Sequence, residues 1–177
     1  DDDGDGYIDN YSGWDFADED NDPTADQNIH GILVTGLAAA STDNKIGIAG
    51  TGFRSRYMPI KIFSSVDGSF FQGYEAVAYA ADQGCQVINL SWGGANAFSY
   101  FGQDMIDYAV LEKDAVVVAA AGNSGKFENF YPASCNHVLS VGQTDNNDNR
   151  ANASTYGYFV DLLAPGQNIY TTTDKDG

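Results

Sequence analysis

The sequence predicts an α/β fold with a mostly parallel central sheet and helices on both of its faces. Short segments at 86–91, 115–121 and 138–142 are apolar along almost their whole length. Two segments with a helical spacing of apolar residues, 72–83 and 100–113, alternate with them. Apolar strands that alternate with helices are typical of a parallel sheet that is covered on both sides.

The other predicted elements complete this pattern. A helix rich in small residues is predicted at 30–40, and because it is apolar all round we expect it to be buried. Strands are predicted at 57–63 and 159–164. Gly84 is expected to end the helix at 72–83, since glycine is the common residue just beyond a helix C-terminus.

The composition narrows the classes of function. The 177 residues include 25 acidic and 8 basic side chains, which gives a net charge of −17. This charge argues against a nucleic-acid partner and against binding to anionic membrane surfaces. The sequence has no run of about 18 apolar residues that could cross a membrane. A length of 177 residues is enough for one domain with a substantial core, and 43% hydrophobic residues exclude a disordered chain.

Cys85 and Cys135 are the cysteines of the chain. Two cysteines do not define a disulfide framework. Because each precedes an apolar, strand-like segment, we expect buried free thiols, with a disulfide between the two as the alternative.

His30 is the first candidate for a chemical role. It stands at the start of the apolar helix at 30–40, where a titratable side chain is unusual. Imidazole is the usual general base near neutral pH. From the residues alone, a histidine that only caps or packs against the helix is the alternative.

Two predicted strands end in glycine-containing turns, at 89–94 and 119–125. Functional loops of parallel sheets gather at the carboxyl ends of the strands. Glycine directly after a buried strand permits a sharp turn and lets a ligand approach the main chain. These two turns are therefore candidate parts of a binding site.

Several motifs, taken together and in order, resemble the subtilisin-like serine proteases, the subtilases. The motifs are His30–Gly36, Val87–Gly94, Val116–Gly125, Tyr131–Gly142 and Leu163–Gly166. Asp26 also matches an acidic position that is usual before the histidine motif. The resemblance extends over about residues 26 to 170, and it favours a catalytic role for His30.

The resemblance implies a serine endopeptidase with an Asp/His/Ser triad. In it His30 is the catalytic base, and Asn123 donates a hydrogen bond to the oxyanion. The implied partner is a polypeptide substrate in an extended conformation, and the implied location is secreted or extracellular. The substrate-binding residues are expected to be Gly68, Ser69, Phe70, Ser91, Trp92, Gly93 and Gly122. Trp92 is expected to shape a hydrophobic subsite, with a plain core tryptophan as the alternative.

The chain departs from the family pattern in two ways. Ile32 and Leu33 replace a threonine and a second, non-catalytic histidine of the helix motif. The strand with the catalytic aspartate and the Gly-Thr-Ser motif of the nucleophile are not in these residues. We therefore expect residues 1–177 to be a single partial catalytic domain, truncated at both ends and inactive alone. The alternative is a non-catalytic calcium-binding structural or adhesive module on a subtilase-like scaffold.

Residues 1–27 form an acidic region that is expected to be a loop. The candidate calcium ligands in it are Asp1, Asp3, Asp5, Tyr7 and Asp9. Their spacing, with Gly6 at the turn, follows the oxygen ligands of a calcium loop, in which Tyr7 contributes its main-chain carbonyl. Ser12 stands where an EF-hand requires a bidentate glutamate, so a shorter calcium loop is expected. A solvated acidic turn is the alternative.

Overall fold

A computed structural model of the chain describes residues 1, 4–25, 28–64, 66, 68–70 and 72–173. These residues form two compact units. The first unit comprises Asp1–Ala76 and Tyr170–Gly177, and the second comprises Val77–Ile169.

The first unit contains strand β1 (Trp14–Asp15), helix α1 (His30–Ala39) and strand β2 (Ile60–Lys61), and helix α2 (Gly73–Asp82) begins in it. The second unit contains β3 (Val87–Leu90), β4 (Gly94–Ala95), α3 (Tyr100–Asp107), β5 (Val116–Ala120), β6 (Phe130–Tyr131), β7 (Val138–Thr144) and β8 (Leu162–Pro165). A π-helical turn, Tyr108–Glu112, continues α3. The structure confirms the predicted positions of α1, α2, α3, β3, β5, β7 and β8 to within a few residues.

In the first unit, β1 pairs in parallel with β2, with Trp14 opposite Ile60. The rings of Trp14 and Phe16 are buried and meet Tyr7 edge-on, at centroid distances of 5.0 and 5.8 Å. Asp15 is 1% exposed and forms an ion pair of 2.7 Å with Lys61. A small aromatic cluster and a buried ion pair therefore anchor the acidic region to β2.

Helix α1 is less buried than predicted. Of its residues only Gly36 is buried, and Leu37 is 38% exposed. Gly36 is buried because Thr171 and Thr172 donate hydrogen bonds to helix carbonyls beside it, and a Cβ at Gly36 would collide with their hydroxyls. The prediction of burial all round was wrong, because residues 32–35 are only half-buried and Leu37 is exposed among the described residues.

The second unit is built on a parallel sheet with strand order β3-β5-β7-β8. The register places Leu90 opposite Ala119, Ala120 opposite Val141, and Thr144 opposite Pro165. The carboxyl ends of all these strands therefore lie along one edge. This arrangement confirms the predicted α/β fold with a mostly parallel central sheet.

Strand β5 was predicted to be buried on both faces, and the structure differs. Val117 and Ala119 are each 1% exposed, whereas Val116 is 50% exposed. Alternate side chains of a strand point to opposite faces, so one face of β5 is buried and the other is partly exposed. The apolar sequence of β5 predicted the position of the strand correctly, but the burial expected from it was too high.

Helix α3 and its π-helical continuation occupy the predicted helix at 100–113. Ser99 caps α3 by accepting a hydrogen bond from the Gly102 N–H. Ile106 and Ala109 have no exposed surface and belong to the core of the second unit. Gly84, with φ +79°, follows the end of α2 as predicted, and its N–H donates to the carbonyl of Ala81.

Both cysteines are free thiols, as expected, with Cys135 buried and Cys85 half-buried. Burial raises the pKa of the Cys85 thiol. Burial, with a smaller contribution from the charge of Asp107, raises the pKa of Cys135 to about 11. Both thiols therefore remain protonated at neutral pH, as in inert structural cysteines.

Candidate active site

Asn123 lies in the turn that follows β5, at the carboxyl edge of the sheet. Gly122, which precedes it, has a φ of +102° that suits glycine. The buried Thr155, which is distant in sequence, fixes this turn with two hydrogen bonds. Its N–H donates to the Gly122 carbonyl at 2.9 Å, and its hydroxyl accepts from the Ser124 N–H at 3.0 Å. The backbone around Asn123 is thus held by contacts that are remote in sequence.

The carboxamide of Asn123 is exposed, and one of its two ends is bonded. Its Oδ1 accepts a hydrogen bond of 3.2 Å from Nε2 of Gln143, on β7. Among the described residues, no acceptor bonds its Nδ2. A carboxamide with a bonded oxygen and an unbonded NH₂ group can donate to a negatively charged oxygen of a bound substrate.

The turns after β3 and β5 converge on Phe130, a residue of β6. A Cβ added at Gly93 would lie 2.6 Å from the ring of Phe130, and one added at Gly122 would lie 2.7 Å from it. Both positions therefore require glycine for the backbone to approach the ring. The structure brings the predicted substrate-binding glycines Gly93 and Gly122 against the same aromatic side chain.

The other predicted residues of this edge follow β3 directly. Ser91 and Trp92 are both half-buried. The hydroxyl of Ser91 accepts a hydrogen bond of 2.9 Å from the carboxamide of Asn89. These residues precede Gly93, so the predicted residues of the second unit lie on two neighbouring strand ends.

His30 belongs to the first unit, where it is the first residue of α1. Its side chain is exposed, and its backbone N–H donates to Oδ1 of Asn28 at 3.1 Å. Asn28 thus satisfies one of the backbone donors that a helix leaves open at its start. Asp26, the acidic residue before the histidine motif, lies outside the described residues.

Gly68, Ser69 and Phe70 also belong to the first unit, in the loop after β2. The Gly68 N–H donates to the carbonyl of Ser64 at 3.0 Å, and the Ser64 N–H donates to the carbonyl of Ser69 at 2.8 Å. Phe70 packs against Phe63 with a centroid distance of 5.3 Å. The loop therefore turns back tightly onto the residues that follow β2.

At the start of the acidic region, two carboxylates accept hydrogen bonds from backbone groups of their own loop. Asp1 accepts from the N–H groups of Gly4 and Gly6, and Asp5 accepts from the N–H of Tyr7. Within the described part of the chain, no group of three or more His, Cys, Asp or Glu side chains could hold a metal ion. Asp3 lies outside the described residues. The predicted ligands Asp1, Asp5, Tyr7 and Asp9 lie within this part of the chain, and their role in calcium binding stays a prediction.

Two residues that contact the predicted site residues were not predicted from the sequence. Phe130 lies in a two-residue strand, which is too short to show an alternating pattern. Gln143 could have been noticed, because it is a long polar side chain near the end of an otherwise apolar strand. The signal is weak without the register, which places it beside the turn after β5.

The model of the subtilase family (Peptidase_S8) matches residues 1–176. The chain belongs to the subtilase family. The resemblance drawn from the ordered motifs is therefore confirmed at the level of the family, which is one of serine peptidases.

Relatives of known name support this assignment. The chain is similar to thermitase of Thermoactinomyces vulgaris, with 44% identity over 161 residues that cover 90% of this chain and 57% of thermitase. It is 42% identical to a thermophilic serine proteinase of Bacillus sp. strain AK1, covering 90% of this chain and 39% of that protein. This subtilase chain thus spans about half the length of these relatives or less.

Solved structures agree with the fold. MycP1, from which the N-terminal propeptide had been removed, superposes with a TM-score of 0.80 at 27% identity, over 90% of this chain and 59% of that one. A protease of Pseudoalteromonas arctica superposes with a TM-score of 0.74 at 27% identity, over 87% and 56%. In the described part of the subtilase chain, no helix has the length and apolar character needed to span a membrane.

Proposed function

We propose that this chain is part of a serine endopeptidase in which His30 is the general base and Asn123 is an oxyanion donor. The observation that supports the proposal best is the hydrogen bonding of the Asn123 carboxamide at the carboxyl edge of the sheet. Its oxygen accepts from Gln143, and its NH₂ group has no acceptor among the described residues. Membership of the subtilase family supports the same assignment.

The proposed chemistry divides between the two residues. His30 takes the proton of a serine hydroxyl as that oxygen attacks the peptide carbonyl, and then gives the proton to the leaving amine. Asn123 donates its Nδ2–H to the oxygen that becomes negative in the tetrahedral intermediate. These 177 residues contain no Gly-Thr-Ser motif, so the proposal assigns neither the serine nor the aspartate of the triad to them.

The substrate is proposed to be a polypeptide bound in an extended conformation. Exposed main chain at Gly93, next to the strand end of β3, provides groups that pair with the backbone of a peptide. Backbone pairing gives affinity with little demand on sequence, and neighbouring side chains such as Trp92 then set the preference. Gly68, Ser69 and Phe70 are proposed to form the other edge.

Replacement of the two proposed residues in the whole protein tests the proposal. Removal of the triad histidine costs about 10⁶ in kcat, and removal of one oxyanion donor costs about 10²–10³; both magnitudes come from subtilisin, itself a member of this family. We expect losses of that order for His30→Ala and Asn123→Ala in peptide hydrolysis. Labelling of the serine by a fluorophosphonate should also weaken in His30→Ala.

The chain supplies matched controls for this experiment. His137 is its other histidine, and Asn152 is an exposed asparagine on a surface turn. His137→Ala and Asn152→Ala should keep kcat within about twofold of the parent, since neither lies in the proposed machinery. A His30→Ala protein that retains the parent kcat would reject His30 as the base.

We further propose that the acidic segment binds calcium, on the spacing of its oxygen atoms and on the chemistry of carboxylates. Binding would compete with the hydrogen bonds that Asp1 and Asp5 accept from their own loop. Calcium should raise the melting temperature of the protein, and Asp3→Ala combined with Asp5→Ala should abolish the rise. Identical melting curves with calcium and with chelator would contradict calcium binding.

A secreted or extracellular location is proposed from the relatives. One of Xanthomonas campestris and one of Dichelobacter nodosus are named as extracellular proteases. Fractionation of the source culture with an antibody to this chain would test the location. Recovery of the protein only inside cells would contradict it.

A further inference from the structure

The side chain of Gln143 contacts the carboxamide of Asn123, the proposed oxyanion donor. It is the next-to-last residue of β7, and its Nε2 donates to Oδ1 of Asn123 at 3.2 Å. The register explains the approach: Ala120 lies opposite Val141, so the chain two residues beyond Val141 runs beside the turn that follows β5. The contact joins residues that are 20 positions apart in sequence.

The backbone of Gln143 is fixed on both sides. Its N–H donates to the hydroxyl of Ser154 at 3.1 Å, and its carbonyl accepts from the N–H of Ala151 at 2.9 Å. Ser154 has no exposed surface. These hydrogen bonds fix the backbone of Gln143, and the fixed backbone limits the directions that its side chain can take.

Gly166, just beyond β8, lies against the side chain of Gln143. A Cβ at Gly166 would lie 2.5 Å from Cβ of Gln143 and 3.2 Å from its Oε1. The glycine therefore gives the side chain of Gln143 the room it occupies beside Asn123. Residues of β7 and of the segments after β5 and β8 thus meet at one point of the sheet edge.

The chemistry of a carboxamide makes this contact important. An amide rotated by half a turn exchanges its acceptor oxygen for its donor NH₂ group, and only the NH₂ can stabilise an oxyanion. A partner that donates to Oδ1 favours the orientation in which the NH₂ points away from that partner. We propose that Gln143 is a positioning residue, which keeps the NH₂ of Asn123 available to the oxyanion; this proposal rests on the proposed function.

Replacement of Gln143 by an acceptor tests the proposal. In Gln143→Glu the carboxylate only accepts, so it should draw the NH₂ of Asn123 towards itself and turn Oδ1 outward. We expect kcat for peptide hydrolysis by the whole protein to fall by about tenfold or more. The upper limit is the loss expected when the donor itself is removed, which is about 10²–10³-fold. KM should change by less than about twofold, because the oxyanion forms only after the substrate binds.

A second variant separates orientation from packing. Gln143→Met keeps a side chain of similar length that has no donor and only a weakly accepting sulfur. Oδ1 of Asn123 then loses its donor, but no strong acceptor draws the NH₂ group away from the substrate. The kcat of this variant should fall less than that of Gln143→Glu. Gln86, exposed before β3, supplies the matched control: Gln86→Glu adds the same charge and should leave kcat unchanged.

A double-mutant cycle decides whether Gln143 acts through Asn123. With Asn123→Ala already present, Gln143→Glu should cause no further loss of kcat. A full additional loss in that background, or an unchanged kcat for Gln143→Glu alone, would overturn the assignment of Gln143. A wild-type kcat for Asn123→Ala would instead overturn the proposed role of Asn123, and with it the role of Gln143. Melting curves of each variant identify any loss that is due to unfolding.

Discussion

The turn at Asn123 and the start of α1 at His30 differ in how the fold holds them. The turn is fixed by Thr155, which bonds Ser124 over 31 positions of sequence, and by Gln143, which bonds Asn123 over 20 positions. The start of α1 is held by hydrogen bonds of its immediate neighbours Asn28 and Ile29. The comparison teaches that one proposed catalytic group owes its position to sheet register and the other to local helix geometry.

The residues beside Asn123 are also more tightly packed than those beside His30. Gly122 beside Asn123 is buried and packs against the ring of Phe130, whereas Gly31 beside His30 is exposed and has no neighbouring heavy atom within 4 Å of an added Cβ. Mutations near Asn123 should therefore affect stability more than comparable mutations near His30.

The largest expected effect compares an apolar side chain from each unit. Ile106 has no exposed surface, and Ile106→Ala should lower the free energy of unfolding by about 4 kcal/mol, since it removes three buried carbons and leaves a cavity. Leu37 of α1 is 38% exposed, and Leu37→Ala should cost only about 1 kcal/mol. Urea unfolding of the two variants measures the difference. Equal losses would mean that α1 is as tightly packed as the second unit.

A second comparison uses glycines beside the proposed catalytic residues. In Gly122→Ala the new methyl group meets Phe130 and Thr155 at a φ of +102°, so the free energy of unfolding should fall by about 3 kcal/mol. Gly31→Ala meets nothing and adds helix propensity, so it should raise stability by about 0.5–1 kcal/mol. Thermal melting shows both signs. A stabilised Gly122→Ala protein would contradict the packing around Asn123.

These comparisons also indicate what the sequence could predict. The helices and the main strands followed from apolar patterns, and the ordered motifs pointed to His30 and to Asn123. The contact between Gln143 and Asn123 could not be predicted, because it depends on which residue of β7 lies beside the turn after β5. That register is a property of strand pairing, and residue patterns within one strand do not specify it.

Burial was the property that sequence predicted least well. Apolar residues surround α1 and line both faces of β5, and full burial was expected for both elements. The structure buries Gly36 in the helix and one face of the strand. Composition shows which surfaces favour burial, whereas the amount of cover depends on the segments that pack there, such as the threonines at 171 and 172.

The smallest expected effect concerns a surface contact of the second unit that joins the end of α2 to the π-helical turn. Asp82 accepts a hydrogen bond of 2.7 Å from Tyr108 and forms an ion pair with Lys113. Partial burial raises the pKa of Asp82, but the hydrogen bonds from Lys113 and Tyr108, together with the charge of Lys113, leave this pKa below its usual value. The hydrogen bonds with Asp82 and then Tyr108 raise the pKa of Lys113.

The direction of each shift fixes the pH dependence of this contact. The contribution of Asp82 is present above its unfolded pKa of about 3.9 and is lost as the pH falls through its lower folded pKa. The contribution of Lys113 is present below its unfolded pKa of about 10.4 and is lost as the pH rises through its higher folded pKa. Lys113→Met should therefore lower the melting temperature slightly between about pH 4 and pH 10, and less at lower or higher pH.

Salt provides the control for this contact, because an exposed ion pair is screened by ions in solution. The difference in melting temperature between the parent and Lys113→Met should shrink at high salt, whereas Lys45→Met, on an exposed turn of the first unit, should show little difference at any salt concentration. A Lys113→Met effect that persists at pH 3 and at high salt would mean that Lys113 stabilises the helix end through the ring of Tyr108, 5.2 Å from its Nζ, and not through the ion pair with Asp82.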